Sequence, residues 1–178
     1  ITESTTHILM DINKILKDTF GFTQFKGQQE EIINSIIGKK DALVIMPTGG
    51  GKSLCYQIPA LVNDGLTIVV SPLIALMNDQ VAALKQLDVN AATLHSNIDF
   101  PTTKEIYFEI EAGRLKLLYV SPEKILSDNF LSFLKNQKIS LFAIDEAHCI
   151  SEWGNDFRPE YVKLAALKDL FPDIPSIA

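Results

Sequence analysis

Short apolar runs alternate with longer stretches of helical period along this 178-residue chain, and that alternation restricts the fold more than any other feature. Strands are expected over 42–46, 67–70, 91–94, 115–120 and 141–144, with a last one starting at Ile174. Helices are expected over roughly 52–62, 74–86, 103–112 and 160–170. The strand candidates are nearly continuous Val/Ile/Leu runs, as in strands covered on both faces by crossover helices. The expected architecture is therefore α/β: a mostly parallel sheet sandwiched by helices, in one domain. Two further helical segments precede the first strand. Ile8, Ile12, Ile15 and Leu16 share one face up to Gly21, and residues 29–37 form the second, closed by Gly38.

Bulk properties exclude several classes. No apolar run approaches a membrane span. Residues 1–6 lack the regions of a signal peptide and read as a polar tail. The two cysteines, Cys55 and Cys149, are far apart and outside any C-x-x-C spacing, which argues against a disulfide framework or a zinc site. A formal charge of −6 speaks against a protein held on DNA by bulk electrostatics. A local groove of backbone N–H groups and a few cations remains compatible with it.

The run Ala42-Leu43-Val44-Ile45-Met46 leads into Pro47-Thr48-Gly49-Gly50-Gly51-Lys52-Ser53. Glycines let backbone approach an anion closely, and successive N–H groups at a helix start form an anion nest. Lys52 is placed to reach the β- and γ-phosphates of a nucleotide, and the Ser53 hydroxyl to ligate Mg²⁺. Met46 stands where the strict phosphate-loop pattern has its first glycine. A glycine-rich turn with a solvated lysine is the competing reading.

A second strand end weighs against that alternative. Leu141-Phe142-Ala143-Ile144 runs into Asp145-Glu146-Ala147-His148. Asp145 is suited to holding Mg²⁺, and Glu146 to orienting and deprotonating a water beside the γ-phosphate. Two acids after a strand also make a helix-capping turn. Two strands that deliver complementary magnesium chemistry point instead to nucleoside triphosphate hydrolysis.

These motifs resemble the first RecA-like lobe of superfamily 2 helicases, specifically RecQ-type DNA helicases, from about Ile15 to the last residue. Met46-Pro47-Thr48-Gly49-Gly50-Gly51-Lys52-Ser53 looks like motif I, which implies that Thr48, Gly49, Gly50, Gly51, Lys52 and Ser53 bind nucleotide. Asp145-Glu146-Ala147-His148 looks like motif II, which implies that Asp145, Glu146 and His148 join Lys52 in catalysis. Phe20-Gly21-Phe22-Thr23-Gln24-Phe25-Lys26-Gly27-Gln28-Gln29 is similar to the adenine-reading motif 0. By that resemblance Gln29 bonds the adenine edge, while Phe22 and Lys26 lie against its faces.

Ser71-Pro72-Leu73 opens a stretch resembling motif Ia, and Tyr119-Val120-Ser121-Pro122-Glu123-Lys124 resembles motif Ib. Both imply contacts to a DNA backbone, with Ser71, Pro72, Leu73, Ser121 and Glu123 as the candidates. Cys149-Ile150-Ser151-Glu152-Trp153-Gly154-Asn155-Asp156-Phe157-Arg158-Pro159-Glu160-Tyr161 looks like the aromatic-rich loop of RecQ enzymes. The resemblance implies that Trp153, Phe157 and Arg158 sense single-stranded DNA. Lys26, Asn78 and Asn155 stand where the family commonly has Arg, Lys and His.

The implied activity is ATP-dependent 3′-to-5′ unwinding, with ATP and Mg²⁺ as cofactors and single-stranded and partly duplex DNA as partners. The implied domain plan is a lobe over 7–178 that stops inside motif III. A second RecA-like lobe, carrying the arginine finger, and zinc-binding and winged-helix domains would complete the parent chain. The implied location is the bacterial cytoplasm or nucleoid, or the nucleus of a eukaryote. Three alternatives stay open. The piece alone could bind nucleotide or DNA without turnover; isolated-lobe assays separate that case. An RNA-directed superfamily 2 ATPase would respond to RNA instead of DNA. A small-molecule kinase would need an acceptor site, which nothing in the sequence resembles.

Overall fold

The computed structural model describes residues 12–47, 49–150 and 158–178. Helix α1, described over 12–18, is followed by α2 (Gln29–Ile37), α3 (Leu54–Val62), β1 (Leu66–Val70), α4 (Ile74–Gln86) and β2 (Ala91–Leu94). Then come α5 (Phe100–Glu111), β3 (Leu117–Val120), α6 (Pro122–Ile125), α7 (Asp128–Leu134) and β4 (Ile139–Ile144). A 3₁₀ turn (Ala147–Ile150), α8 (Pro159–Lys163), α9 (Ala166–Leu170) and β5 (Ser176–Ile177) complete it. The strands form one parallel sheet in the order β2-β3-β1-β4-β5.

Every residue of β1 and β3 is buried, as expected of central strands with helices on both faces. Alternation along them splits the core. Ile68, Val70, Leu118, Val120 and Phe142 face Ile106, Phe130 and Tyr161 on one side. Val69, Leu117, Tyr119 and Leu141 face Cys55, Met77, Val81 and Leu84 on the other. A third cluster of Ile12, Leu16, Ile33, Leu54 and Ile58 holds α1 against α2 and α3. Ile8 lies outside the described residues.

Local chemistry explains several boundaries. Helix α5 begins at Phe100 rather than 103, because the Asp99 carboxylate accepts the Thr102 N–H at 2.8 Å and Pro101 suits the first turn. Pro122 starts α6, where the Ser121 hydroxyl accepts the Lys124 N–H. The helix expected over 160–170 is two short helices, α8 and α9. Lys39, and not Gly38, takes the left-handed conformation after α2, with φ 61°.

The expected strand over 42–46 is reduced to a parallel bridge between Ala42 and Ile177. The Ala42 N–H donates to Ser176 at 2.9 Å, and the Val44 N–H to Ala178 at 2.7 Å. Leu43 and Ile45 are 77% and 91% exposed, which marks the segment as an edge and not a buried strand. Asp41 pins this edge, since its carboxylate accepts from the Ser176 N–H and from Lys168, each at 2.9 Å. No described helix is long and apolar enough to cross a membrane.

Candidate functional site

Ligands of open parallel sheets gather beyond the carboxyl ends of the strands, and the chemistry-bearing residues collect there. The segment ending at Met46 and strand β4 lie on either side of β5, so the loops that follow them are separated by one strand position. They border a common cavity of about 570 Å³. Lys52, Asp145, Glu146 and His148 line it beside Tyr56, with the backbone end at Ile177 and Ala178 between the two loops. The two sequence motifs therefore meet.

In the glycine loop, Gly49 and Gly51 have φ of 79° and 76°, a region that side chains resist. The Gly50 N–H donates to Pro47 at 3.0 Å and tightens the turn. Helix α3 begins at Leu54, after Lys52 and Ser53 have formed a turn, and not at 52. Lys52 is exposed and Ser53 half-buried. Thr48 lies outside the described residues.

Gln29 is 2% exposed and reaches this loop from α2. Its Nε2 donates to the Gly51 carbonyl at 3.1 Å and to that of Gly50 at 3.4 Å, while its Oε1 accepts the Lys26 N–H at 2.8 Å. The amide expected to meet adenine is thus engaged within the lobe and must exchange partners before it can pair with a base. Phe22 is 46% exposed and Lys26 is exposed.

Asp145 continues β4, donating its N–H to Val70 at 2.9 Å. Burial, and then the neighbouring Glu146 charge, raise its pKa above the usual carboxylate value; the Glu146 N–H, Lys52 and His148 partly oppose that rise. Glu146 adopts φ 55°, rare for a side-chain-bearing residue. Its Oε2 lies 3.1 Å from His148 Nδ1. The Asp145 carbonyl accepts the Tyr161 hydroxyl at 2.9 Å.

At the ends of β1 and β3 the structure departs from expectation. Ser71 is 1% exposed, and its Oγ is buried without a hydrogen-bond partner among the described residues. Ser121 is 7% exposed, with its hydroxyl occupied as the cap of α6. Neither hydroxyl is presented to a strand of DNA in this conformation. The exposed groups at these turns are Leu73 and Glu123, with Pro72 half-buried between Ser71 and Leu73, and Arg158 is exposed at the start of α8. Trp153 and Phe157 lie outside the described residues.

A buried polar network goes beyond the sequence reading. Gln57 Nε2 on α3 donates to the Tyr119 hydroxyl at 3.0 Å and to Gln80 Oε1 on α4 at 3.1 Å, and Tyr119 meets Tyr56 edge-on. Its one sequence signal was a glutamine inside the apolar run Leu54-Cys55-Tyr56-Gln57-Ile58. Tyr161 closes the aromatic-rich stretch, where the resemblance gave roles to Trp153, Phe157 and Arg158 and none to it.

Comparison with known proteins agrees with this geometry. A family model for DEAD/DEAH box helicases matches residues 26–176. The chain is 51% identical over 164 residues to the ATP-dependent DNA helicase RecQ of Haemophilus influenzae, covering 92% of this chain and 26% of that protein. It is 48% identical over 169 residues to the probable ATP-dependent DNA helicase RecS of Bacillus subtilis, covering 94% of this chain and 34% of the relative. The chain thus spans about a quarter to a third of the length of such curated relatives. Among solved structures, the DUF1998 helicase MrfA bound to DNA and AMPPNP superposes with a TM-score of 0.71 at 16% identity, over 94% of this chain and 25% of that one. The Pyrococcus furiosus Hef helicase domain does so at 0.64 and 22%, over 86% and 32%. Both share the RecA-like fold. The matched family model spans the glycine loop and the Asp145–Glu146 turn together, and the chain belongs to the DEAD/DEAH box helicase family.

Proposed function

We propose that this chain is the ATP-binding lobe of a RecQ-type, ATP-dependent 3′-to-5′ DNA helicase, in which hydrolysis drives translocation on single-stranded DNA and duplex unwinding. The observation that carries the reading is the common cavity shared by Lys52 and the Asp145–Glu146 pair. The identity to proteins named RecQ supports the DNA helicase assignment.

In this reading the loop N–H groups and Lys52 hold the triphosphate. Glu146 takes a proton from a water whose oxygen bonds to the γ-phosphorus, while the bond from that phosphorus to the β-phosphate bridging oxygen breaks and ADP departs. A desolvated Asp145 carboxylate beside Glu146 is a pair of like charges that a hard divalent cation would relieve, so the residues present fit Mg²⁺. Asp145 and the Ser53 hydroxyl would hold it, and it would neutralise charge on the phosphates. Adenine recognition requires the Gln29 amide to leave the Gly50 and Gly51 carbonyls, with Phe22 and Lys26 available against the base faces. DNA would pass over the turns at Ser71-Pro72-Leu73 and Ser121-Pro122-Glu123, through backbone groups and Leu73 rather than the buried hydroxyls, and against Arg158 with Trp153 and Phe157.

Among the described residues lining the cavity, Lys52 and His148 are the basic groups, and none is arginine. An arginine finger from a second RecA-like lobe would supply the missing charge, worth about 10³–10⁵ in rate in other nucleotide hydrolases. The isolated lobe is therefore expected to be nearly inactive. With that lobe present, ATP hydrolysis should rise with single-stranded DNA, rise less with RNA, and vanish in Lys52→Ala. Normal turnover by Lys52→Ala would refute the assignment.

A further inference from the structure

We infer that Tyr161 is the positioning residue for Glu146, holding through its hydroxyl the one peptide unit on which the direction of the Glu146 carboxylate depends. The inference rests on the hydrolase reading above and adds to it a residue that has no contact with the phosphates to account for.

The backbone around Glu146 is unusual. A left-handed φ costs a residue other than glycine about 1–2 kcal/mol, and such a conformation persists only where its surroundings over-determine it. Several hydrogen bonds among the described residues supply that constraint. Asp145 is tied to β1 by its N–H bond to Val70. The peptide between Asp145 and Glu146 is held at both polar ends: its carbonyl accepts the Tyr161 hydroxyl at 2.9 Å, and its N–H donates to Asp145 Oδ1 at 3.0 Å. The Cys149 N–H then donates to the Glu146 carbonyl at 3.0 Å and closes the 3₁₀ turn.

Of these holds, the Tyr161 hydroxyl is the side-chain one that reaches the Asp145–Glu146 peptide from another packed element. Tyr161 is 0% exposed, its ring belongs to the core beneath the sheet, and burial pushes its phenol pKa well up, so it stays a neutral donor. Helix α8 is itself tied back, since the Arg158 N–H donates to Cys149 at 2.9 Å. Without the hydroxyl, the peptide can rotate by compensating changes in ψ of residue 145 and φ of residue 146. That rotation relieves the left-handed strain and swings the Glu146 carboxylate away from its place beside His148. Turnover would then fall while nucleotide binding persists, because Tyr161 acts on the direction of the base and not on the phosphate loop.

The test uses the full-length protein with single-stranded DNA and compares wild type with three variants: Tyr161→Phe, Glu146→Gln and the double variant. Phenylalanine keeps the ring in the core, and thermal melting verifies that each variant is folded. Tyr161→Phe should lower kcat for ATP about 10- to 100-fold, the range that misplacement of a reacting group by an ångström produces. The KM for ATP and the affinity for a fluorescent ATP analogue should stay within about twofold of wild type, because the interaction lost is one made on the way to the transition state. In the Glu146→Gln background the same change should have no further effect, since groups acting as one unit are not additive. An unchanged kcat in Tyr161→Phe, a rise in KM alone, or an equal loss in both backgrounds would each overturn the inference. Full activity of Glu146→Gln would instead bring down the hydrolase reading itself, so the two failures are distinguishable.

Discussion

Gly51→Ala tests the contact between the glycine loop and Gln29 at the start of α2. A Cβ at Gly51 would overlap the Gln29 amide nitrogen, and the backbone there has φ 76°. Two costs follow. The left-handed conformation costs alanine about 1–2 kcal/mol, less the ~0.4–1 kcal/mol by which alanine restricts the unfolded chain. Displacing the amide breaks its bonds to Gly51 at 3.1 Å and Gly50 at 3.4 Å. Neutral hydrogen bonds contribute about 1 kcal/mol each, and the longer of these counts for less. The net loss is about 2 kcal/mol, or ~4–8 °C in melting temperature for a chain of this size.

A double-mutant cycle separates the two costs. In a Gln29→Ala background the amide is already gone, so Gly51→Ala should cost only its backbone share, up to about 1.6 kcal/mol. The expected coupling between the sites is therefore ~1 kcal/mol, measured by urea denaturation. Additivity of the two changes to within ~0.3 kcal/mol would refute the claim that the Gln29 amide holds this loop.

Other perturbations follow from the same geometry. Asp145 has a folded-state pKa above its unfolded value, so between those values the folded state binds more protons and stability falls as pH rises. Asp145→Asn should therefore raise the neutral-pH melting temperature of the nucleotide-free protein while abolishing hydrolysis; a lower melting temperature would contradict the assigned desolvation. Asp41 behaves oppositely: its hydrogen bond to Lys168, then that to the Ser176 N–H, lowers its pKa, so its contribution is present above the unfolded value and lost as pH falls through the folded one. Asp41→Asn should remove that acid-side loss from a denaturation series. Gln57→Met removes the amide that donates to the buried Tyr119 hydroxyl and to the half-buried Gln80 oxygen. The cost should be about 1–2 kcal/mol by chemical denaturation, and a loss under ~0.5 kcal/mol would show that the network is immaterial to folding.

How much of this was legible in the sequence depends on how local each signal is. The residues of β2 and α4 were read to the residue, because each element shows its own period over its own length. Helix α7 was missed, since seven residues are too few to display helical periodicity. The apolar run over 42–46 looked like a central strand, yet its pairing partner is the short β5, reached from the far end of the chain. Hydropathy cannot tell an edge whose alternate residues are exposed from a buried centre. The motif residues were legible for a similar reason: phosphate and water impose residue types at fixed short spacings. Tyr161 meets Asp145 across 16 positions and Gln57 meets Tyr119 across 62, with no spacing rule to announce either.

The candidate site concentrates features that weaken the fold. Asp145 is a desolvated acid beside another acid, Glu146 holds a strained backbone, and the Ser71 hydroxyl is buried without a partner among the described residues. All three sit at the carboxyl ends of β1 and β4, the two neighbouring strands paired from Thr67 with Leu141 to Val70 with Ile144. A sheet end can carry such a concentration only if its strands are held elsewhere. Here they are held by two apolar layers, one on each face, with β1 entirely buried between them. The packing that fixes the strands therefore fixes the direction of the acids at their ends, and the strain persists because relaxing it would require moving a core that has nowhere to go.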